Sequence, residues 1–161
     1  MNRFVISCDF IEAIGANRIP IDNLTNVLLT FTQDNPYKIY IDKESILFSR
    51  YTEIGKKYEM IRFWLDIIGK SSKEVFCECD SKNKTKKLDL LCLSLASLTQ
   101  NKTIITSAKD LYLKHHSRKI QKNQIHLIDG DEAKLQLNAR TTIINQTTTG
   151  RNSPITNNIN N

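Results

Sequence analysis

The chain has 161 residues, 40% of them hydrophobic, which is enough for one compact domain with a buried core and a tail. Its 23 lysine and arginine residues outnumber 17 acidic ones, and the resulting net charge of +6 is compatible with a polyanionic partner but does not name one. No apolar run approaches the roughly 20 residues of a membrane helix, and the four cysteines lack paired C-x-x-C spacing, so we expect a cytoplasmic protein with free thiols and no membrane contact.

The amino-terminal third of the chain predicts strands that alternate with helices. Apolar residues over Arg3–Cys8 indicate a buried first strand, after which Asp9 opens a short helical turn that stops near Gly15. A second helix is predicted from Ile21 on the helical spacing of four apolar residues. These are Leu24, Val27, Leu28 and Phe31. A short strand follows over Lys38–Ile41.

Three further strands are predicted downstream, separated by helical patterns. They lie over Glu74–Cys79, Thr103–Thr106 and Gln124–Ile128, the first being either a sheet strand or half of a hairpin. An amphipathic helix with Trp64 in its core face precedes them, and an apolar helix from Leu88 lies between the first two. A short helix closes the pattern over residues 131–137. Five strands that alternate with helices predict an α/β domain with a mainly parallel sheet over residues 1–138.

Residues 139–161 form a polar tail of a different composition. The segment has two arginines, no acid and no aromatic residue, and consists mostly of Thr and Asn. Such a segment is disordered by default, whereas the β-branched run Thr141–Ile144 could add a strand to a protein partner or to a second copy in a homo-oligomer. The run from Gln146 to Pro154 resembles Asn/Thr-rich tails of bacterial antiviral-defence proteins.

Two carboxylates occupy related places in the predicted sheet. Asp89 lies at the start of the apolar helix, and Asp110 lies just past the strand Thr103–Thr106, where another helix begins. In an open parallel sheet the carboxyl ends of the strands border the crevice in which ligands bind. We therefore expect these acids to converge at that edge.

The order of these residues resembles that of PIN-like domains, a metal-dependent nuclease fold found among bacterial toxins and RNA-processing proteins. The likeness covers residues 3–128 and rests on short motifs. They are Ser7-Cys8-Asp9, Asp42 with Ile46-Leu47, Tyr51 and Trp64-Leu65, Asp89 at the head of the apolar helix, and Thr106-Ser107-Ala108-Lys109-Asp110. The resemblance implies a three-layer domain with a mainly parallel central sheet of about five strands flanked by helices.

The resemblance also implies a metal site. In such a nuclease Asp9, Asp89 and Asp110 would be the catalytic and metal-binding residues, holding Mg²⁺ or Mn²⁺ for phosphodiester hydrolysis. RNA is favoured over DNA as the nucleic acid.

Three acids that the family carries are replaced in this chain, by Ser7, Arg50 and Ala108. Arg50 would place a permanent cation where a carboxylate helps to hold the metal, although Glu53 lies about one helical turn later. The favoured hypothesis is therefore a degenerate PIN-like domain that binds nucleic acid or a protein partner. Two alternatives remain open: an active nuclease with a remodelled or partner-completed site, and an unrelated α/β signalling domain with Asp9 as a phosphoacceptor.

Lysines near the predicted acids are the candidate nucleic-acid ligands. They are Lys82, Lys84, Lys86, Lys87 and Lys109. Lysines beside the crevice could neutralise phosphates, and an ordinary solvated loop would have the same composition. A second basic run lies over Lys114–Lys122. His115 and His116 within it lack a third ligand nearby, so no metal site is expected there.

Overall fold

The computed structural model describes residues 3–31, 36–69, 75–80, 85 and 87–138. The strands are β1 (Arg3–Ile6), β2 (Lys38–Asp42), β3 (Phe76–Cys79), β4 (Thr103–Ile105) and β5 (His126–Ile128). The helices are α1 (Cys8–Gly15), α2 (Asp22–Asn26), α3 (Ile46–Lys57), α4 (Glu59–Gly69), α5 (Leu88–Leu98), α6 (Lys109–Asn123) and α7 (130–138), with a 3₁₀ turn over Leu28–Thr30.

The five strands form one sheet in the order β3-β2-β1-β4-β5, and every neighbouring pair is parallel. Crossovers between parallel strands are right-handed, so the helices after β1 and β2 cover one face and those after β3 and β4 cover the other. The packing agrees, since α3 contacts α1 and α4 whereas α5 contacts α6. The predicted three-layer α/β class with a parallel sheet is confirmed, and Phe76–Cys79, from the run predicted as a sheet strand or half of a hairpin, is an edge strand parallel to β2.

Two predicted element boundaries were wrong. The first strand stops at Ile6, and Cys8 already belongs to α1, because the extended Ser7 precedes the first helical turn. The helix expected from Ile21 breaks at Val27, whose φ of −120° and ψ of −67° are not helical. The four apolar residues of that pattern are nevertheless all buried, so the pattern identified the core face and not the backbone conformation.

Trp64 and Tyr51 form the centre of the core between the sheet and α3–α4. Trp64 is fully buried and donates a hydrogen bond from Nε1 to the carbonyl of Leu28 at 3.2 Å. The Tyr51 hydroxyl donates to the carbonyl of Ile6 at the end of β1. The prediction that Trp64 packs in the core, rather than stacking on a base, is confirmed. The four cysteines are free thiols, of which Cys8 and Cys92 are buried and Cys77 and Cys79 are partly buried.

Helix α7 packs beside α1 and α2. Ala133 and Leu137 are fully buried, and Lys134 Nζ pairs with Asp22 Oδ2 at 2.8 Å. Gly130 at its start lies so close to Asn23 that a Cβ there would be 2.0 Å from Oδ1. The predicted tail, residues 139–161, lies outside the described residues. No helix within the described ranges is long and apolar enough to cross a membrane.

Candidate functional site

The carboxyl edge of the sheet between β1 and β4 is the expected position for a site in this topology. The chain moves outward from β1 through β2 to β3 and then returns to the other side of β1 for β4 and β5. Ligands of open α/β sheets bind where the strand order reverses in this way. The residues that follow β1 and β4 are Ser7 and Thr106, and both are buried.

Asp9 joins these two strand ends. It lies in the first turn of α1, and its Oδ2 accepts hydrogen bonds from Thr106 Oγ1, Ser107 N and Ser107 Oγ, each at 2.8 Å. Its Oδ1 accepts a further hydrogen bond from Ser7 Oγ. We call this arrangement of Ser7, Asp9, Thr106 and Ser107 the Asp9 clasp.

The clasp occupies the acceptor capacity of the carboxylate. Two ionised oxygens offer about four lone-pair sites, and four protein donors are directed at them. The amino terminus of α1 adds positive partial charge beside the same group. A metal ion or a phosphoryl group at Oδ2 would have to displace three donors that already stabilise Asp9, whereas Oδ1 accepts from Ser7 Oγ alone.

The described acids of this edge are not gathered into one cluster. Mg²⁺ and Mn²⁺ both require several oxygen ligands around one position. Within the described ranges, no three His, Cys, Asp or Glu side chains lie close enough together to hold a metal ion. Metal binding by Asp9, Asp89 and Asp110 stays a prediction from the family resemblance.

The negative charges of Asp9 and Asp89 contribute to the raised pKa values of three buried side chains, Cys8, Cys92 and Tyr112. The pKa of the Cys8 thiol is raised to about 12, mainly by burial; the charge of Arg50 opposes the shift, and the charges of Asp9 and Asp89 add to it. Burial also raises the pKa of Cys92 and of Tyr112, which share a hydrogen bond, and the same two carboxylates contribute. These thiols are therefore neutral and poorly nucleophilic.

Asp89 faces α6. Its Oδ2 lies 3.7 Å from Nε2 of His116, whose side chain is mostly buried. Helix α6 is kinked at His116, where φ is −135° and ψ is 20°. The His116 ring also packs on Tyr112 with ring centroids 6.3 Å apart. Sequence reasoning gave His116 no role, and no local signal could have done so, because only the packing of α5 on α6 brings it to Asp89.

Asp110 lies in the first turn of α6, at the same edge of the sheet. It is exposed, and within the part of the chain that the structure describes its side chain makes no hydrogen bond or ion pair. The three predicted acids thus share one edge, but only Asp9 is bound into the strand ends.

Arg50 is near enough to this site to affect it electrostatically. Its charge lowers the pKa of Cys8, against the larger effect of burial. Its Nη1 lies 2.7 Å from Glu53 Oε2, in an exposed ion pair. Glu53, which the sequence offered as a substitute for a lost acid, is therefore paired with Arg50.

Asp42, the acid at the end of β2, caps a helix. It is fully buried, and its two carboxylate oxygens accept the backbone N–H groups of Ile46 at 2.7 Å and Leu47 at 2.8 Å. These are orphan donors at the start of α3, and a carboxylate is the preferred group there. This carboxylate is used by α3 and is not presented to the crevice.

The predicted lysine ligands have different environments. Lys82, Lys84 and Lys86 lie outside the described residues, and Lys87 is exposed directly before α5. Lys109 pairs with Glu132 and lies 3.8 Å from Asp129 Oδ2, which ties the start of α6 to the start of α7. Lys109 would have to leave these partners to bind a phosphate.

A stronger basic surface lies further along α6. It consists of Lys114, Arg118, Lys119 and Lys122, all exposed, and we call it the α6 basic surface. None of these side chains forms an ion pair with any residue in the described ranges. Lys119 and Lys122 also border a shallow groove of about 240 Å³ against α5.

The resemblance to PIN-like domains rests on the short sequence motifs alone. No protein-family model matches the chain, and the searches of curated proteins and of solved structures found no significant match. The all-parallel sheet does not by itself distinguish a PIN-like domain from other three-layer α/β domains.

Proposed function

We propose that this chain is a catalytically silent PIN-like domain that binds single-stranded nucleic acid, preferring RNA to DNA, through the α6 basic surface. The observation that carries the proposal is that the four cations of this surface are exposed and have no acidic partner among the described residues. Cations without a carboxylate partner are available to phosphate oxygens, and phosphate neutralisation dominates nucleic-acid affinity.

The shape and chemistry of α5 support the same surface. Ser94 lines the groove beside Lys119 and Lys122 and supplies a hydroxyl group next to the cations, whereas the Ser97 hydroxyl donates to the carbonyl of Ser94 at 2.7 Å. Hydroxyl groups and lysines are the side chains that hold a sugar-phosphate backbone without reading its sequence. Among the residues that the structure describes, no aromatic side chain lines this groove. We therefore expect binding that depends strongly on salt and weakly on base sequence.

Three features of the carboxyl edge support the absence of catalysis. The oxygens of Asp9 are occupied by the clasp, Asp42 caps α3, and the cation of Arg50 is paired with Glu53. A PIN-like mechanism needs several free carboxylates around a metal ion. The remaining acids Asp89 and Asp110 are too few for that arrangement.

Binding is tested by fluorescence anisotropy with labelled single-stranded RNA and DNA over a range of salt concentrations. We expect RNA to bind more tightly than DNA. The triple substitution Arg118→Gln, Lys119→Gln and Lys122→Gln should weaken binding and reduce the slope of log K against log salt by about 0.7 for each lost phosphate contact.

The matched control removes three exposed cations from elsewhere, with the same change in net charge. These are Arg18, Lys43 and Lys56, each replaced by glutamine. The control should retain nearly all of the affinity and the salt slope. Equal losses in the two triple variants, or no binding by the unmodified chain, would refute the α6 basic surface as the binding site.

The catalytic alternative has its own assay. The purified chain is incubated with the same RNA and DNA in Mn²⁺, beside a variant with Asp89→Asn and Asp110→Asn. We expect no cleavage by either protein. Metal-dependent cleavage that disappears in the variant would establish an active nuclease and overturn the silent site.

A further inference from the structure

A groove of about 610 Å³ runs along the outer edge of β5. Leu113 and Ile120 of α6 form one wall and Gln136 of α7 borders the other, with His126 and Leu127 of β5 between them. A volume of this size is typical of a site that encloses a ligand or a short segment of chain.

The outer edge of β5 has unused hydrogen-bonding capacity. His126 N donates to the carbonyl of Lys102 at 2.8 Å, and the carbonyl of Ile128 accepts from Thr106 N at 2.9 Å, so residues 126 and 128 face β4. Alternate residues of a parallel strand face opposite neighbours, and the N–H and C=O of Leu127 therefore point into the groove. No strand among the described residues pairs with this edge.

Asn101 adds a second unsatisfied group to the same groove. Its side-chain Nδ2 and Oδ1 are both buried, and neither has a hydrogen-bond partner within the described ranges. Buried polar groups without partners are rare in native proteins. An extended segment of backbone supplies both a donor and an acceptor, which is what Leu127 and Asn101 lack.

We propose that the groove binds residues 141–144 of the C-terminal tail of a second copy of the chain, as an added strand beside β5. The described chain ends at residue 138, two residues after Gln136 borders the groove. Thr141–Ile144 is a β-branched run, and Ile143-Ile144 is the only adjacent apolar pair in the tail sequence. Its side chains alternate between the wall from α6 and the wall from α7.

The handedness of the fold favours a second copy over the chain's own tail. Helix α6 connects β4 to β5 on one face, whereas α7 lies on the opposite face beside α2, where Lys134 pairs with Asp22. A parallel strand added through α7 would complete a left-handed crossover, a connection that is almost never found. For an antiparallel strand, the chain would first have to run from the end of α7 back along the length of β5, which is about 10 Å. Residues 139 and 140 span only about 7 Å.

The test is the mass of the full chain in solution, measured by analytical ultracentrifugation. We expect the unmodified chain to be a dimer or larger at about 50 µM. Ile143→Pro removes a backbone N–H donor from the added strand and replaces the branched side chain by a ring, and Leu113→Glu places a carboxylate in the groove wall. Each should raise the dissociation constant at least about tenfold.

Two matched controls should leave the mass unchanged. Ile155→Pro alters the tail outside the proposed strand, and Leu111→Glu alters an exposed leucine of α6 that does not line the groove. Hydrogen exchange gives a direct reading, since the amide of Leu127 should be protected in the unmodified chain and lose protection in Ile143→Pro.

A monomeric unmodified chain at about 50 µM would refute the proposal. So would equal effects of Leu111→Glu and Leu113→Glu, or loss of assembly in Ile155→Pro rather than Ile143→Pro. If Leu113→Glu unfolds the domain, Ile143→Pro still decides, because residue 143 lies in the tail and makes up no part of the groove wall. None of these results depends on nucleic-acid binding.

Discussion

Replacing Asp9 with asparagine should destabilise the fold, because this carboxylate holds the ends of β1 and β4 together. The amide oxygen can still accept from Thr106 and Ser107, but these hydrogen bonds lose their charge, and Ser7 Oγ then meets an NH₂ group. Hydrogen bonds to charged groups contribute about 1.5–3 kcal/mol and neutral ones about 0.5–1.5 kcal/mol. A loss of roughly 1 kcal/mol on each of two or three bonds gives about 2–3 kcal/mol.

Urea unfolding of the two chains measures this difference. With an m value of about 1–3 kcal/mol/M, the midpoint should fall by roughly 1–2 M at constant m. Asp110→Asn is the matched control, since Asp110 is exposed in the first turn of α6 and its loss should cost only about 0.3–1 kcal/mol.

The opposite sign is expected if Asp9 belongs to a metal site. Neutralising one of several crowded carboxylates relieves their repulsion when no metal is bound, and so stabilises the fold. A midpoint that is unchanged or higher in Asp9→Asn would therefore refute the clasp. A rise in the melting temperature of the unmodified chain with Mn²⁺, lost in Asp9→Asn, would lead to the same conclusion.

Three further outcomes are expected. Cys8→Ala should reduce the loss of stability at alkaline pH. Burial raises the pKa of the Cys8 thiol from 9.0 to about 12, so the contribution of the neutral thiol is complete below pH 9 and falls by about 1.4 kcal/mol per pH unit above it. Thermal unfolding of both chains from about pH 8 to 10 measures the difference. Asp42→Ala should cost about 2–3 kcal/mol in urea unfolding, because two N–H groups at the buried start of α3 lose their acceptors. Gly130→Ala should cost about 1–3 kcal/mol, since its Cβ would lie 2.0 Å from Asn23 Oδ1. Gly69→Ala, which meets nothing within 4 Å, should change stability by less than about 1 kcal/mol in the same assay. A steeper alkaline slope in Cys8→Ala, an unaffected Asp42→Ala, or equal effects at the two glycines would each contradict the contact invoked.

Element type was predictable where the pattern reflects burial on both faces of a sheet. Thr103–Ile105 and Lys38–Asp42 are strands because continuous β-branched and apolar runs suit a parallel strand covered by helices on both sides. Boundaries were less predictable. Cys8 is buried in either conformation, so its apolar character did not distinguish the end of β1 from the start of α1.

The edge of the sheet at which the three acids lie was predictable from the sequence, but their contacts were not. The positions of Asp9, Asp89 and Asp110 at helix starts predicted one shared edge, since parallel strands direct their carboxyl ends the same way. Hydrogen-bond partners could not be predicted, because Thr106 and Ser107 are far from Asp9 in the chain. The exposure and pairing of the lysines also depended on packing, which is why Lys109 is held by Glu132 while Lys119 has no acidic partner among the described residues.

The sequence by itself determined the α/β class, the core residues and the edge at which the acids lie, because these follow from local periodicity and from the direction of parallel strands. Only the tertiary structure decided that Asp9 accepts from residues that follow β1 and β4, that Asp89 faces His116, and that β5 has an open edge beside α7. The physical reason is that the polarity of each residue indicates whether it is buried, whereas its hydrogen-bond partners depend on which distant segments the fold brings together.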